Sequence, residues 1–107
     1  MMKLGIVITC NIAETVWNAF RLGVYACQQG DTVNIFLLGQ GVESETLQEA
    51  KFNVVEQMNT FVEQGGEIHA CGTCLQIRQS ESSELCPVST LADLHRIIQD
   101  SDKVLTF

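Results

Sequence analysis

At 107 residues, with a formal net charge of −7 and only six Lys and Arg, the chain is poorly suited to nucleic acid or anionic membranes. Both are held by clusters of basic side chains. Its length fits one domain, residues 1–107, with a core that folds without staples; the 46% hydrophobic content and mean hydropathy of +0.14 agree with such a core or with a subunit that hides a face in an oligomer. No run of 18 apolar residues is present, so no segment is expected to span a bilayer.

The chain opens on an apolar run over residues 3–10, ending in Thr9-Cys10, which predicts a strand buried on both faces. The short run leads into Asn11 and Glu14 without a small-residue cleavage site, so it reads as a strand rather than a signal peptide and places the chain in the cytoplasm. Asn11 with Glu14 has the capping-box pattern of a helix start. Val16, Phe20, Gly23 or Val24, and Cys27 then recur at helical spacing until Gly30 stops the helix. Trp17 and Tyr25 lie off that stripe, as residues facing a partner subunit would.

A second strand is predicted over Thr32 to Leu38, ending at Gly39-Gln40-Gly41. The polar stretch Val42 to Lys51 reads as a loop with a helical turn. Asn53 and Glu56 repeat the cap pattern, and Val54, Met58, Phe61 and Val62 mark a second amphipathic helix closed by Gly65-Gly66. A third strand runs from Glu67 to Cys71, followed by a short helix to about Gln79 and a polar loop over Ser80 to Glu84. Leu85 to Val88 reads as a short fourth strand whose Pro87 suits an edge. Ser89 or Thr90 caps a last helix with Leu91, Leu94, Ile97 and Ile98 on one face, and Lys103 to Phe107 is the final strand.

Strands alternating with helices, without a two-residue hairpin signal, predict a three-layer α/β/α fold around a parallel sheet of four to five strands. In such folds ligands bind beyond the carboxyl ends of the strands. The loops at Cys10-Asn11, Gly39 to Val42 and Cys71 to Cys74 all leave such ends, so they should cluster.

The five cysteines, at 10, 27, 71, 74 and 86, are odd in number and sit mostly in apolar segments. That suits buried or reactive thiols in a reducing compartment rather than a secreted disulfide framework. Cys71-Gly72-Thr73-Cys74 stands apart, because a thiol at a strand end facing a helix start is favoured as thiolate. A C-x-x-C pair can close a disulfide, share a metal, or supply a nucleophile with a resolving partner. Metal binding would need a second pair, and none is present, so no metal or other cofactor is expected. A thioredoxin-like dithiol oxidoreductase remains open, although such motifs follow the first core strand rather than the third. A further alternative is a non-catalytic oligomeric module that binds a small anion or peptide.

Arg78 lies one turn beyond Cys74, where it either adds positive charge to the thiol site or is a solvated helix residue. His69 alternates onto the strand face of Cys71, a position as compatible with packing as with tuning the thiol. Cys10, Cys27 and Cys86 read as core packing, with Cys10 the most plausible exception. Gly39-Gln40-Gly41 lacks a phosphate-loop lysine and reads as a tight turn. His95 falls on the polar side of the last helix.

The segments Thr15 to Leu22, Val33 to Gly41, Phe52 to Gln57, Ala70 to Leu75 and Asp102 to Leu105 resemble the DsrE/DsrF-like family, most closely its small stand-alone members. The resemblance covers nearly the whole chain and implies a five-stranded parallel sheet between helix layers. It further implies a sulfur-relay role, with sulfane sulfur carried as a persulfide on Cys71 and passed between donor and acceptor proteins, and a homotrimer or homohexamer. Cys74 falls at a position that varies among relay members, where a second thiol could resolve the persulfide. Cys71 and Cys74 are the expected reactive residues, with Cys10, Asn11, Thr73 and Arg78 around them.

Overall fold

The computed structural model describes residues 1–107. Five strands, β1 (Lys3–Ile8), β2 (Thr32–Leu37), β3 (Glu67–Cys71), β4 (Val88–Ser89) and β5 (Lys103–Thr106), form one sheet in the order β4-β3-β2-β1-β5. Every neighbouring pair is parallel. Four α-helices connect them: α1 (Ala13–Gln28), α2 (Val54–Glu63), α3 (Gly72–Ile77) and α4 (Leu91–Asp100). A 3₁₀ segment, Gly39–Thr46, follows β2.

The strand order explains the layering. The connections from β1 to β2 and from β2 to β3 step across the sheet in one direction, so right-handed crossovers put α1 and α2 on the same face. The return from β4 to β5 runs the other way and carries α4 to the opposite face. The result is a three-layer α/β/α fold.

Strand periodicity then assigns the side chains. Leu4, Ile6 and Ile8 line up with Val33, Ile35 and Leu37, and with Ile68 and Ala70, to make the buried face under α1 and α2. Phe20 of α1 and Phe61 of α2 meet edge to face on it, 5.7 Å between ring centroids. The other face carries Lys3, Gly5, Thr32, Asn34, Glu67 and His69 and is covered by α4, whose Ile97 approaches Gly5. One ten-residue helix covers only part of it, leaving a polar groove of about 360 Å³ lined by Asn34, His69, Ser89 and Arg96 among others.

Several boundaries differ from the sequence expectation. Asn11 does not cap α1: the N-cap is Ile12, without a side-chain bond. The Asn11 side chain instead donates from Nδ2 to the Glu43 carboxylate at 3.2 Å, a charge-assisted bond to the segment after β2. The Asn53 and Thr90 caps do form, accepting from the N–H groups of Glu56 and Asp93. β1 ends at Ile8 and β5 at Thr106. The helical turn expected after Val42 begins earlier, at Gly39. β4 is Val88–Ser89 rather than Leu85 to Val88; Pro87 lies just before it and accepts the Ala70 N–H at 2.9 Å.

Helix α3 stops at Ile77 rather than Gln79, because Gln79 adopts a left-handed φ of 53°. The N–H groups of Gln79 and Ser80 bond back to Gln76 and Leu75, closing a Schellman turn without glycine. Trp17 is occupied within the chain, packed 5.3 Å from the Phe52 ring with the Arg21 guanidinium 4.4 Å above it. Tyr25 is exposed.

Candidate functional site

Cys71 is the last residue of β3 and the N-cap of α3. Its side chain makes no capping bond and is 3% exposed. The helix that follows has six residues, so the dipole expected to act on this thiol is that of a short helix. Cys74, one turn on, is half-buried and is the more accessible of the two sulfurs.

The backbone N–H of Gly39 donates to the Cys74 sulfur at 3.2 Å, and Cys71 stands three residues before it, at the N-cap of the same helix. Burial pushes the Cys74 thiol up from its ordinary value, and the neighbouring Cys71 thiol adds to that; the Gly39 N–H and the Arg78 charge pull the other way. Gly39 can present this N–H because its φ is +58°, a left-handed conformation that glycine adopts without steric cost. Neither cysteine is in a disulfide.

The loops at the carboxyl ends of β1, β2 and β3 are tied together by one carboxylate. Glu43 accepts from Asn11 Nδ2 at 3.2 Å through Oε1 and from Arg78 Nε at 2.8 Å through Oε2. Arg78, 26% exposed, also donates from Nη1 to the carbonyl of Cys74 at 3.1 Å. Arg78 thus clamps the last turn of α3 to the 3₁₀ segment, which carries the Gly39 amide. Its charge reaches Cys74 only as a secondary influence.

The other expected residues divide. Thr73 is exposed on the first turn of α3. Cys10 is half-buried against the core just past β1, outside the hydrogen bonding of the dithiol. His69 turns into the groove under α4, donating from Nε2 to Asn34 Oδ1 at 3.0 Å and stacking on Phe36. Burial holds its pKa below the usual imidazole value.

Cys27 and Cys86 are not poised for reaction. Burial pushes Cys27 up, with Asp31 adding to it, while burial and then the Glu45 charge push Cys86 to about 12. No three His, Cys, Asp or Glu side chains converge in a way that could hold a metal ion.

Gly39 and Glu43 were not legible as site residues. The available signal was positional: the Gly39-Gln40-Gly41 turn leaves the carboxyl end of β2, where open parallel sheets bind ligands. Nothing local marks Glu43 among the other acids of its stretch.

The latch has a pH signature. Hydrogen bonds from Arg78 and then Asn11, together with the Arg78 charge, lower Glu43 from its ordinary value of 4.5. A lowered carboxylate contributes stability that is fully present above the unfolded value and is lost as pH falls through the folded one. The difference in Tm between wild type and Glu43→Gln should therefore be constant above about pH 5 and shrink below it. A gap that persists unchanged to about pH 3 would show that the latch does not depend on the Glu43 charge.

Fold and site together define a three-layer α/β/α protein that presents a dithiol, one sulfur of it hydrogen-bonded by a backbone amide, at the carboxyl end of a parallel sheet. The chain belongs to the DsrE/DsrF-like family, whose model matches residues 2–107. It is similar to an uncharacterized protein of Methanocaldococcus jannaschii, with 32% identity over 100 residues that cover 88% of each chain. It is also similar to an uncharacterized protein of Methanopyrus kandleri, with 31% identity over 101 residues, 88% of this chain and 83% of the relative. No helix is long and apolar enough to cross a membrane.

Proposed function

We propose that this protein is a cytoplasmic sulfur-relay component that carries sulfane sulfur as a persulfide on Cys71, receiving it from a donor protein and passing it to an acceptor. The observation that carries this reading is the Cys71–Cys74 pair at the carboxyl end of β3, with the Gly39 N–H on the Cys74 sulfur, in a chain whose family points to sulfur relay. A persulfide needs shielding from bulk thiols, and the burial of Cys71 supports that. An open groove of about 510 Å³ beside α3, lined by Gly72, Leu75 and Gln76, offers room for a partner's loop. A homotrimer or homohexamer belongs to the same reading. Exposed Leu91 and Ile98 of α4 and Val104 and Leu105 of the edge strand β5 support it, since exposed apolar clusters mark contact surfaces.

Intact-protein mass spectrometry after incubation with glutathione persulfide tests the proposal. The expected result is an adduct of one sulfur atom that survives brief dithiothreitol treatment on wild type and does not survive it in Cys71→Ser, with Cys27 and Cys86 unmodified in the peptide map. An unmodified wild type, or an adduct that remains in Cys71→Ser at wild-type stoichiometry and stability, overturns it.

The placement of the two thiols three residues apart at a helix start also favours a second reading, a dithiol oxidoreductase that cycles between Cys71–Cys74 dithiol and disulfide. A titration against glutathione buffers that finds no such couple removes it.

A further inference from the structure

The two thiols are unequal in a way that assigns them an order. Cys71 is the better shielded, closed off at 3% exposure by the start of α3 and by β4, whose Val88 packs against Gly72. A protein-bound persulfide must bring its outer sulfur in line with the attacking thiolate, and a sulfur this covered offers little approach. Cys74 is half-buried and lies on the first turn of α3 beside exposed Thr73.

We infer that Cys74 is the entry port for sulfur and that the sulfane atom then passes within the chain from Cys74 to Cys71, with the Gly39 amide holding the charge that this transfer leaves behind. The inference rests on the sulfur-carrying reading above. Cys74 first attacks the outer sulfur of the donor's persulfide, forming Cys74–S–SH, while its thiol proton passes to the donor thiolate that is released. The Cys71 thiolate then attacks the outer sulfur of Cys74–S–SH. A new sulfur–sulfur bond forms on Cys71, the bond on Cys74 breaks, and its electron pair stays on the Cys74 sulfur. No oxidant or reductant is consumed, because one sulfane sulfur and one thiolate simply exchange places.

The geometry supplies what each step needs. The two cysteines stand at the N-cap and on the first turn of the same helix, three residues apart, so the exchange runs between neighbouring side-chain positions. The Gly39 N–H, 3.2 Å from Cys74 Sγ, faces the atom on which negative charge develops as the bond breaks. The clamp from Glu43 through Arg78 to the Cys74 carbonyl holds α3 and the 3₁₀ segment in register, keeping donor and sulfur aligned. Gly39 is a positioning residue in this scheme, and the two cysteines are the reacting groups.

Rapid-quench alkylation with fragment-ion mapping tests the order. In wild type mixed with glutathione persulfide, sulfur is expected first on Cys74 and then on Cys71, with their sum constant after the donor is spent. Cys74→Ser is expected to load Cys71 at least about tenfold more slowly, while Cys71→Ser takes sulfur on Cys74 alone, where dithiothreitol strips it quickly. Cys74→Ala is run beside Cys74→Ser, with circular dichroism of both, to separate loss of the port from loss of the fold. Loading of Cys71 at the wild-type rate in either Cys74 variant, or sulfur on Cys71 before Cys74 in wild type, overturns the inference while leaving the persulfide reading intact. Absence of sulfur on either cysteine of wild type overturns both.

Discussion

Phe61→Ala is expected to remove about 3–5 kcal/mol of stability, the range for deleting a fully buried aromatic ring. The residue is 0% exposed, and its ring is the point at which α2, α1 and the sheet meet. It stands edge to face against Phe20 and lies where a Cβ on Gly66 would overlap it, while a Cβ on Gly23 would come within 2.9 Å of its Cε1. Both glycines are thus there to admit the ring, and neither can refill the space it leaves. Net stabilities of about 5–15 kcal/mol make this a large fraction of the total. For a chain of this size the loss corresponds to a fall in Tm of about 15–25 °C. Urea unfolding followed by far-ultraviolet circular dichroism measures it directly. A loss below about 1.5 kcal/mol would mean that α2 closes over the cavity and that the ring is not the keystone of this layer.

The features legible in the sequence and those that were not differ in how local their causes are. The buried strands and their order of connection could be read, because each strand's burial is written in its own residues and right-handed crossovers then fix the layers. Asn53 and Thr90 were readable as caps for the same reason. Asn11 has the same local pattern, but the N-cap falls one residue later, at Ile12, and the Asn11 Nδ2 donates to a carboxylate 32 residues away. The end of α3 was missed because Gln79 takes the left-handed position usually given to glycine, so no residue type announces the stop.

The site shows the same division. Cys71, Cys74 and Arg78 could be named from spacing, and the structure does place Arg78 against the Cys74 turn. That Cys71 is the covered sulfur and Cys74 the reachable one depends on how β4 and the 3₁₀ segment close over the turn. Both arrive from distant parts of the chain. The Gly39 amide and the Glu43 carboxylate belong to that closure, and their roles exist only once three strand ends are brought side by side.

Gly41→Ala tests that closure at its base, and is expected to be the most damaging single-methyl change near the site. A Cβ at residue 41 would overlap the carbonyl oxygen of Ile8 and lie 2.8 Å from its carbon. That carbonyl cannot swing aside, since it accepts the Leu38 N–H at 2.9 Å in the continuation of the β1–β2 ladder. The 3₁₀ segment must therefore lift, which strains its three bonds to other elements: Gly39 N–H to Cys74 Sγ, and the Glu43 carboxylate to Asn11 and to Arg78. Overpacking typically costs about 1–3 kcal/mol, and a rigid backbone neighbour places this substitution at the upper end. Gln40→Ala, one residue away and exposed, is the matched control and should stay within about 0.5 kcal/mol of wild type. The second readout is chemical. With the amide withdrawn and the turn raised, Cys74 should react faster with iodoacetamide in Gly41→Ala, whereas Cys86, buried beneath its own loop, should stay protected as long as the fold survives. If Gly41→Ala matches Gln40→Ala in both stability and Cys74 labelling, the segment is not seated on β1. The Gly39 amide would then have no fixed hold on the sulfur.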